Sequence, residues 1–139
     1  MMLSDSDRKV FAGLADMIIP SWERMPAASE VGVHLALLDT VLRVRPDIES
    51  GVMNAISLSR DRLPSDAINS LFLQERAAFD AFTLAVTGAY YMDERVRGLI
   101  GYPGQESPTY NPHATPDYLL DGSLERVTRR GAVYKSTPR

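Results

Sequence analysis

No cysteine occurs among the 139 residues. That excludes disulfides, thiol nucleophiles, Cys-ligated zinc and Cys-held iron–sulfur clusters, without fixing a compartment. Histidine is nearly as scarce, with only His34 and His113, far apart in sequence. No apolar run approaches the roughly 18 residues that a membrane span needs. The stretch MMLSDSDRKVFAGL is acidic and polar before it becomes amphipathic. It lacks the basic region and apolar core of a secretory signal, so no signal peptide is expected in this chain. The Arg129-Arg130 pair is misplaced for a twin-arginine signal. Strand-like alternation, internal repeats and low-complexity runs are missing as well. No Gly-x-Ser-x-Gly elbow is present. Gly101-Tyr102-Pro103-Gly104 lacks the Lys-Ser/Thr of a phosphate loop and the strand that precedes a dinucleotide fold. Its plain role is to end a helix and start a turn.

What remains is ordinary globular material. Hydrophobic content of 45% and charged content of 24% allow one domain with a workable core. The net charge of −3 gives no reason to expect a nucleic-acid partner. Residues 1–102 hold 14 acids and 10 Lys/Arg; residues 103–139 hold 4 acids and 5 Lys/Arg. At that division, a net of −4 against +1, the asymmetry is too small to imply polyanion binding.

Helical spacing organises residues 1–102. Ser4 or Ser6 is placed to cap a first helix carrying Val10, Phe11, Leu14, Met17 and Ile18, which Pro20 ends. Trp22 and Met25 follow in a loop reaching Pro26. A second helix is predicted from Pro26 or Ser29, with Val33, Leu37, Val41 and Val44 as its buried stripe and Leu38 and Leu42 widening it. Pro46 suits the first turn of a third, whose face is Ile48, Val52, Ala55 and Ile56. Ser65 or Asp66 is the expected cap of a short helix with Ile68, Leu71 and Phe72. The longest helix covers about Gln74 to Tyr91, with Phe79, Phe82, Val86 and Ala89 or Tyr90 in line. Gly88 interrupts it, a residue whose usual reason there is a closely packed neighbouring backbone. Asp93 caps a last short helix closed by Gly101. The predicted fold is all-α, an irregular bundle of four to five helices.

Residues 103–139 differ in kind. They hold five of the nine prolines, together with Tyr110, Tyr118 and Tyr134. The prolines forbid a long helix, and only 121–130 has weak helical character, through Leu124 and Val127. Disordered segments are normally poor in aromatics, so an ordered, extended tail lying on a surface is the expectation. The domain reading is therefore a helical body, 1–102, and an extended Pro/Tyr-rich tail, 103–139, packing on a partner subunit.

Candidate chemistry is thin. His34 lies on a helix among apolar neighbours and reads as a packed side chain; His113 falls in a turn. Asp93 and Glu94 are consecutive and point in different directions on a helix, which suits a cap better than a catalytic pair. No catalytic, cofactor-binding or metal residue is assigned. Tyrosine suits interfaces because it joins a rigid apolar face to a polar tip. In Tyr90-Tyr91 either one ring belongs to the core and the other covers the chain's own tail, or Tyr91 reaches a partner. The interface candidates are Trp22, Tyr91, Tyr102, Pro103, Tyr110 and Tyr118.

Three blocks resemble a known family: Leu14-Ala15-Asp16-Met17-Ile18-Ile19-Pro20, Pro26-Ala27-Ala28-Ser29-Glu30-Val31-Gly32-Val33, and Tyr90-Tyr91-Met92-Asp93 through Gly101-Tyr102-Pro103-Gly104. In these the chain is similar to gluconate 2-dehydrogenase subunit 3, the small-subunit family of flavin-dependent sugar dehydrogenases. The resemblance implies a non-catalytic subunit beside a large glucose–methanol–choline-type (GMC-type) oxidoreductase. That subunit carries FAD and oxidises a sugar, sugar acid or glycoside. The small subunit would support its folding and assembly, in the cytoplasm or the periplasm. Many members carry a twin-arginine signal, from which this sequence departs. Some complexes add a cytochrome c subunit, which no residue here indicates. Two other readings stand beside this one. One is a self-sufficient helical binding module for a small ligand or peptide. The other is a small enzyme using His34, His113 or carboxylates.

Overall fold

The computed structural model describes residues 3–106, 111 and 113–131. The chain divides into two compact units, Met1–Gly104 and Gln105–Arg139. The architecture is all-α, and among the described residues the only β-type pairing is an isolated bridge between Trp22 and Met25.

The first unit contains α1 (Asp5–Ile18), α2 (Ala28–Val31), a π turn (Val33–Leu37), α3 (Leu38–Val44), a 3-10 turn (Pro46–Ile48), α4 (Glu49–Ser59), α5 (Pro64–Gln74), α6 (Arg76–Met92) and α7 (Glu94–Leu99). α1 begins as its sequence requires. The Ser4 hydroxyl oxygen accepts from the Asp7 amide at 3.2 Å, and the Asp7 carboxylate accepts from the Ser4 amide at 3.2 Å. α6 is the central helix. Its Phe82 meets Phe11 of α1 edge-on, with ring centroids 4.9 Å apart. Its Ala81 lies so close to α4 that a Cβ on Gly51 would sit 2.5 Å from the Ala81 Cβ. The core gathers Phe11, Leu14, Val33, Leu38, Val52, Ile56, Phe82, Val86, Tyr90 and Val96.

The second predicted helix is broken. Gly32 turns left-handed (φ 80°) and closes α2, and Leu35 leaves helical geometry inside the π turn (φ −101°, ψ −134°). The wider turn carries the chain five residues, from Val33 to Leu38, before the next core contact. The stripe is thereby re-phased to Val33, Leu38 and Val41. Val44, expected in the core, is 69% exposed, and Leu37 is only partly buried. Met17 and Phe72 also face outward. Phe72 packs edge-on against Phe79 at 5.3 Å with the Arg76 guanidinium over both rings. α5 starts one residue before its expected cap. Pro64 takes the first position, where a missing N–H is harmless, and neither Ser65 nor Asp66 caps it.

In the second unit Asp117–Leu120, expected to be extended, forms α8, and α9 (Ser123–Arg130) falls within 121–130, the one stretch there expected to have helical character. Left-handed Gly122 (φ 79°) separates them, and the Asp121 carboxylate accepts from the Ser123 amide at 2.8 Å to start α9. No described residue of this unit is buried.

Candidate partner interface

Trp22 is held out from the body by a tight turn. Its amide donates to the Met25 carbonyl at 3.0 Å, and the Met25 amide returns a bond to Trp22 at 2.8 Å. Glu23 occupies the left-handed region (φ 49°), an unfavourable place for a side-chain-bearing residue. The indole is 73% exposed, although apolar burial would favour covering it.

The Tyr90-Tyr91 pair separates by role. Tyr90 is fully in the core, and its hydroxyl donates to the Pro26 carbonyl at 2.7 Å. Burial, the neighbouring Tyr91 and Asp93 push its phenol pKa up. This bond fastens the loop that carries Trp22 to the end of α6. Tyr91 packs edge-on against Tyr90, centroids 5.5 Å apart, and is 53% exposed.

Tyr102 is placed by the end of α7. Asp93 caps that helix, accepting from the Val96 amide at 3.0 Å, and buried Val96 fixes it to the core. At the other end Gly101 (φ 71°) reverses the chain. The Gly101 amide bonds to the Gly98 carbonyl at 3.2 Å and the Tyr102 amide to the Arg97 carbonyl at 2.9 Å, a Schellman closure. Tyr102 and Pro103 emerge exposed. Tyr118 belongs to α8 of the second unit and is exposed there. Tyr110 lies outside the described residues.

The sequence reading overlooked a neighbouring surface. Leu84, Gly88, Tyr91 and Met92 share the outer face of α6, opposite Phe82, Val86 and Ala89. With Val41, Val44 and Arg45 of the α3 side, Leu84, Gly88 and Met92 line an apolar groove of about 330 Å³. Gly88 was expected to admit a closely packed neighbouring backbone. Instead an added Cβ would meet only Val41 side-chain atoms at 3.6 and 3.9 Å, which is ordinary contact. The signal was the i, i+4, i+7, i+8 spacing of these four residues, masked by the stronger apolar stripe on the other face.

Several polar side chains make structural contacts. Arg8 donates to the carbonyls of His34 (2.8 Å) and Leu35 (3.2 Å) and to both Asp39 oxygens (2.8 and 3.0 Å), clamping the π turn to α1. His34 borders a small recess with Asp5, Arg8, Lys9 and Leu35, and its Nδ1 has no hydrogen-bond partner among the described residues. Burial and Arg8 push its pKa down, with Asp16 opposing. A larger cleft of about 630 Å³ between α4 and α6 is lined by Asp47, Ser50, Asn54, Glu75 and Asp80 over an Ala/Gly floor. Arg45 holds Asp47 at 2.7 Å and Arg76 holds Asp80 at 2.9 Å. The Asp47 carboxyl consequently lies below the usual range, suited to a fixed charge rather than proton transfer. Among the described residues no group of three or more His, Asp or Glu is placed to hold a metal ion. None of their helices is long and apolar enough to cross a membrane.

Comparison with models of protein families, with curated proteins and with solved structures finds no match in any of the three.

Proposed function

We propose that this chain is a non-catalytic small subunit of a flavin-dependent sugar, sugar-acid or glycoside dehydrogenase complex. It supports folding and stability of a large GMC-type subunit that carries the FAD. The three sequence blocks similar to gluconate 2-dehydrogenase subunit 3 supply the identity of that partner. The observation that carries the reading is the outward aromatic set, Trp22, Tyr91 and Tyr102, on backbone fixed by the Tyr90–Pro26 bond and the α7 closure. Large apolar groups exposed on rigid backbone suit a binding surface, because little ordering entropy is lost when they are covered. An obligate interface of this kind buries more than about 2,000 Å² in total. A cytochrome c subunit would be an additional partner. The assembly would work in the cytoplasm or the periplasm.

Co-expression with a GMC-type subunit and purification through a tag on the small chain tests this. A flavin-yellow complex of both chains is the expected product. Tyr91→Ala combined with Tyr102→Ala abolishes it while leaving the helical circular-dichroism signal, since central aromatic contacts each contribute about 2 kcal/mol or more. Recovery of an intact complex from the double variant would remove these residues from the interface. A colourless, monodisperse chain that never retains the large subunit would remove the function. The second reading, a stand-alone module for an apolar ligand, draws on the groove at Gly88. It predicts ligand-dependent stabilisation of the isolated chain.

A further inference from the structure

Charge along this chain segregates within α9. Residues 126–139 hold five Lys/Arg and no Asp or Glu, while residues 1–125 hold ten Lys/Arg against 18 acids. The division at residue 102 hides this, because Glu106, Asp117, Asp121 and Glu125 offset the five cations. Three of the cations, Arg126, Arg129 and Arg130, are exposed on α9. Of the acids in α8–α9 and the turn between them, Asp117 lies in the first turn of α8. Asp121 is used to start α9, and Glu125 accepts from Arg129 at 3.2 Å. Arg126 and Arg130 have no acidic partner among the described residues.

Beside these arginines stand Tyr118, Leu119, Leu120, Leu124 and Val127, all exposed. Lys/Arg clusters on an amphipathic helix are the pattern that anionic lipid headgroups attract, and residues 126–139 bring five such cations, three of them on α9. The Arg stems reach along apolar surface while their heads stay with the headgroups, and a tyrosine ring suits the same depth. Gly122 (φ 79°) divides the apolar residues between two short helices, so they form no continuous ridge for a rigid protein groove. A fluid interface needs none. A nucleic-acid duplex would engage the arginines and leave the leucines in water.

We propose that α8–α9 is a peripheral docking element for an anionic lipid surface, held by Arg126, Arg129 and Arg130 and by shallow insertion of the neighbouring apolar side chains. This goes beyond the subunit reading and does not depend on it. With one basic cluster and a short apolar face, attachment is weak, reversible and sensitive to salt.

The test is co-sedimentation of the full chain with vesicles of phosphatidylcholine, alone or mixed with phosphatidylserine. Binding is expected only with phosphatidylserine and weakens as salt rises. The triple variant Arg126→Gln, Arg129→Gln, Arg130→Gln loses roughly a hundredfold in affinity, about fivefold per arginine. The matching triple Lys variant keeps most of it, because surface charge rather than bidentate geometry carries the attraction. Leu124→Ser with Val127→Ser weakens binding about tenfold, a loss that persists at high salt. Circular dichroism confirms that the bundle is intact in each variant. Equal binding to both vesicle types, no binding to either, or wild-type binding by the Gln variant would each overturn the proposal. So would tighter binding of the chain to duplex DNA than to the anionic vesicles.

Discussion

Gly51, in the first turn of α4, and Gly88, inside α6, are both helical glycines, and a methyl group separates their roles. At Gly51 a Cβ would collide with the Ala81 Cβ at 2.5 Å, where α4 and α6 cross. Gly51→Ala is expected to destabilise by about 1–3 kcal/mol through forced separation of two packed helices. At Gly88 the same methyl meets Val41 at 3.6 Å, so Gly88→Ala stabilises the isolated chain by up to about 1 kcal/mol. Paired urea denaturation curves measure both; a shared sign would refute the distinction. Titrating residues give a second test. His34 is held below its ordinary 6.5 by burial and by Arg8, with Asp16 opposing and Asp5 and Lys9 lining the same recess. Above 6.5 both folded and unfolded chains carry it neutral and its contribution is intact. As pH falls from 6.5 through the folded-state value, the unfolded chain takes up the proton first, and stability is lost. Asp7 is held below 3.8 by Ser4 and Arg60, so its contribution stands above 3.8 and disappears as pH falls through its folded value. Melting temperature against pH should therefore decline in two limbs. His34→Gln flattens the upper limb and Asp7→Asn the lower.

At the scale of elements, the π turn matters most. It is fixed at one end by left-handed Gly32 and clamped along its length by Arg8. Gly32→Ala puts a side chain at φ 80° and is expected to cost about 1–2 kcal/mol. The open space around it, with only a Leu35 methyl at 3.5 Å, assigns that cost to backbone conformation rather than to collision. Faster amide exchange confined to residues 31–38 is the measurement. Uniform loss of protection across the bundle would count against a local role. Much of this level was legible beforehand. The Ser4 cap, one of the two expected candidates, the Asp93 cap and the Gly101 closure lie where local rules put them, because a cap needs only residues within one turn of it. The π turn was not legible. A five-residue step between Val33 and Leu38 imitates an ordinary helical stripe when Leu37 and Val41 also fit the period.

At the scale of the molecule, burial among the described residues is confined to one unit. The core runs from Phe11 to Val96, and no described residue beyond Gly104 is buried. A chain ending after Gly104 should therefore unfold cooperatively at the same temperature as the full protein, within a few degrees. A large drop in melting temperature would show that 105–139 contributes to the fold. The all-α class was implicit in residue order, whereas the described residues hold more, shorter helices than the four to five expected. Periodicity and capping are local, and they survive without knowledge of neighbours. Periodicity already put Tyr90 in line with the buried stripe and left Tyr91 for the surface; the polar partner that fixes this order came only from the packed structure. The Pro26 carbonyl lies 64 positions away in the chain and selects Tyr90, leaving Tyr91 outside. The exposure of Val44 and the groove at Gly88 were settled in the same way. Each depends on where α3 meets α6, a distance in space that no spacing along the chain encodes.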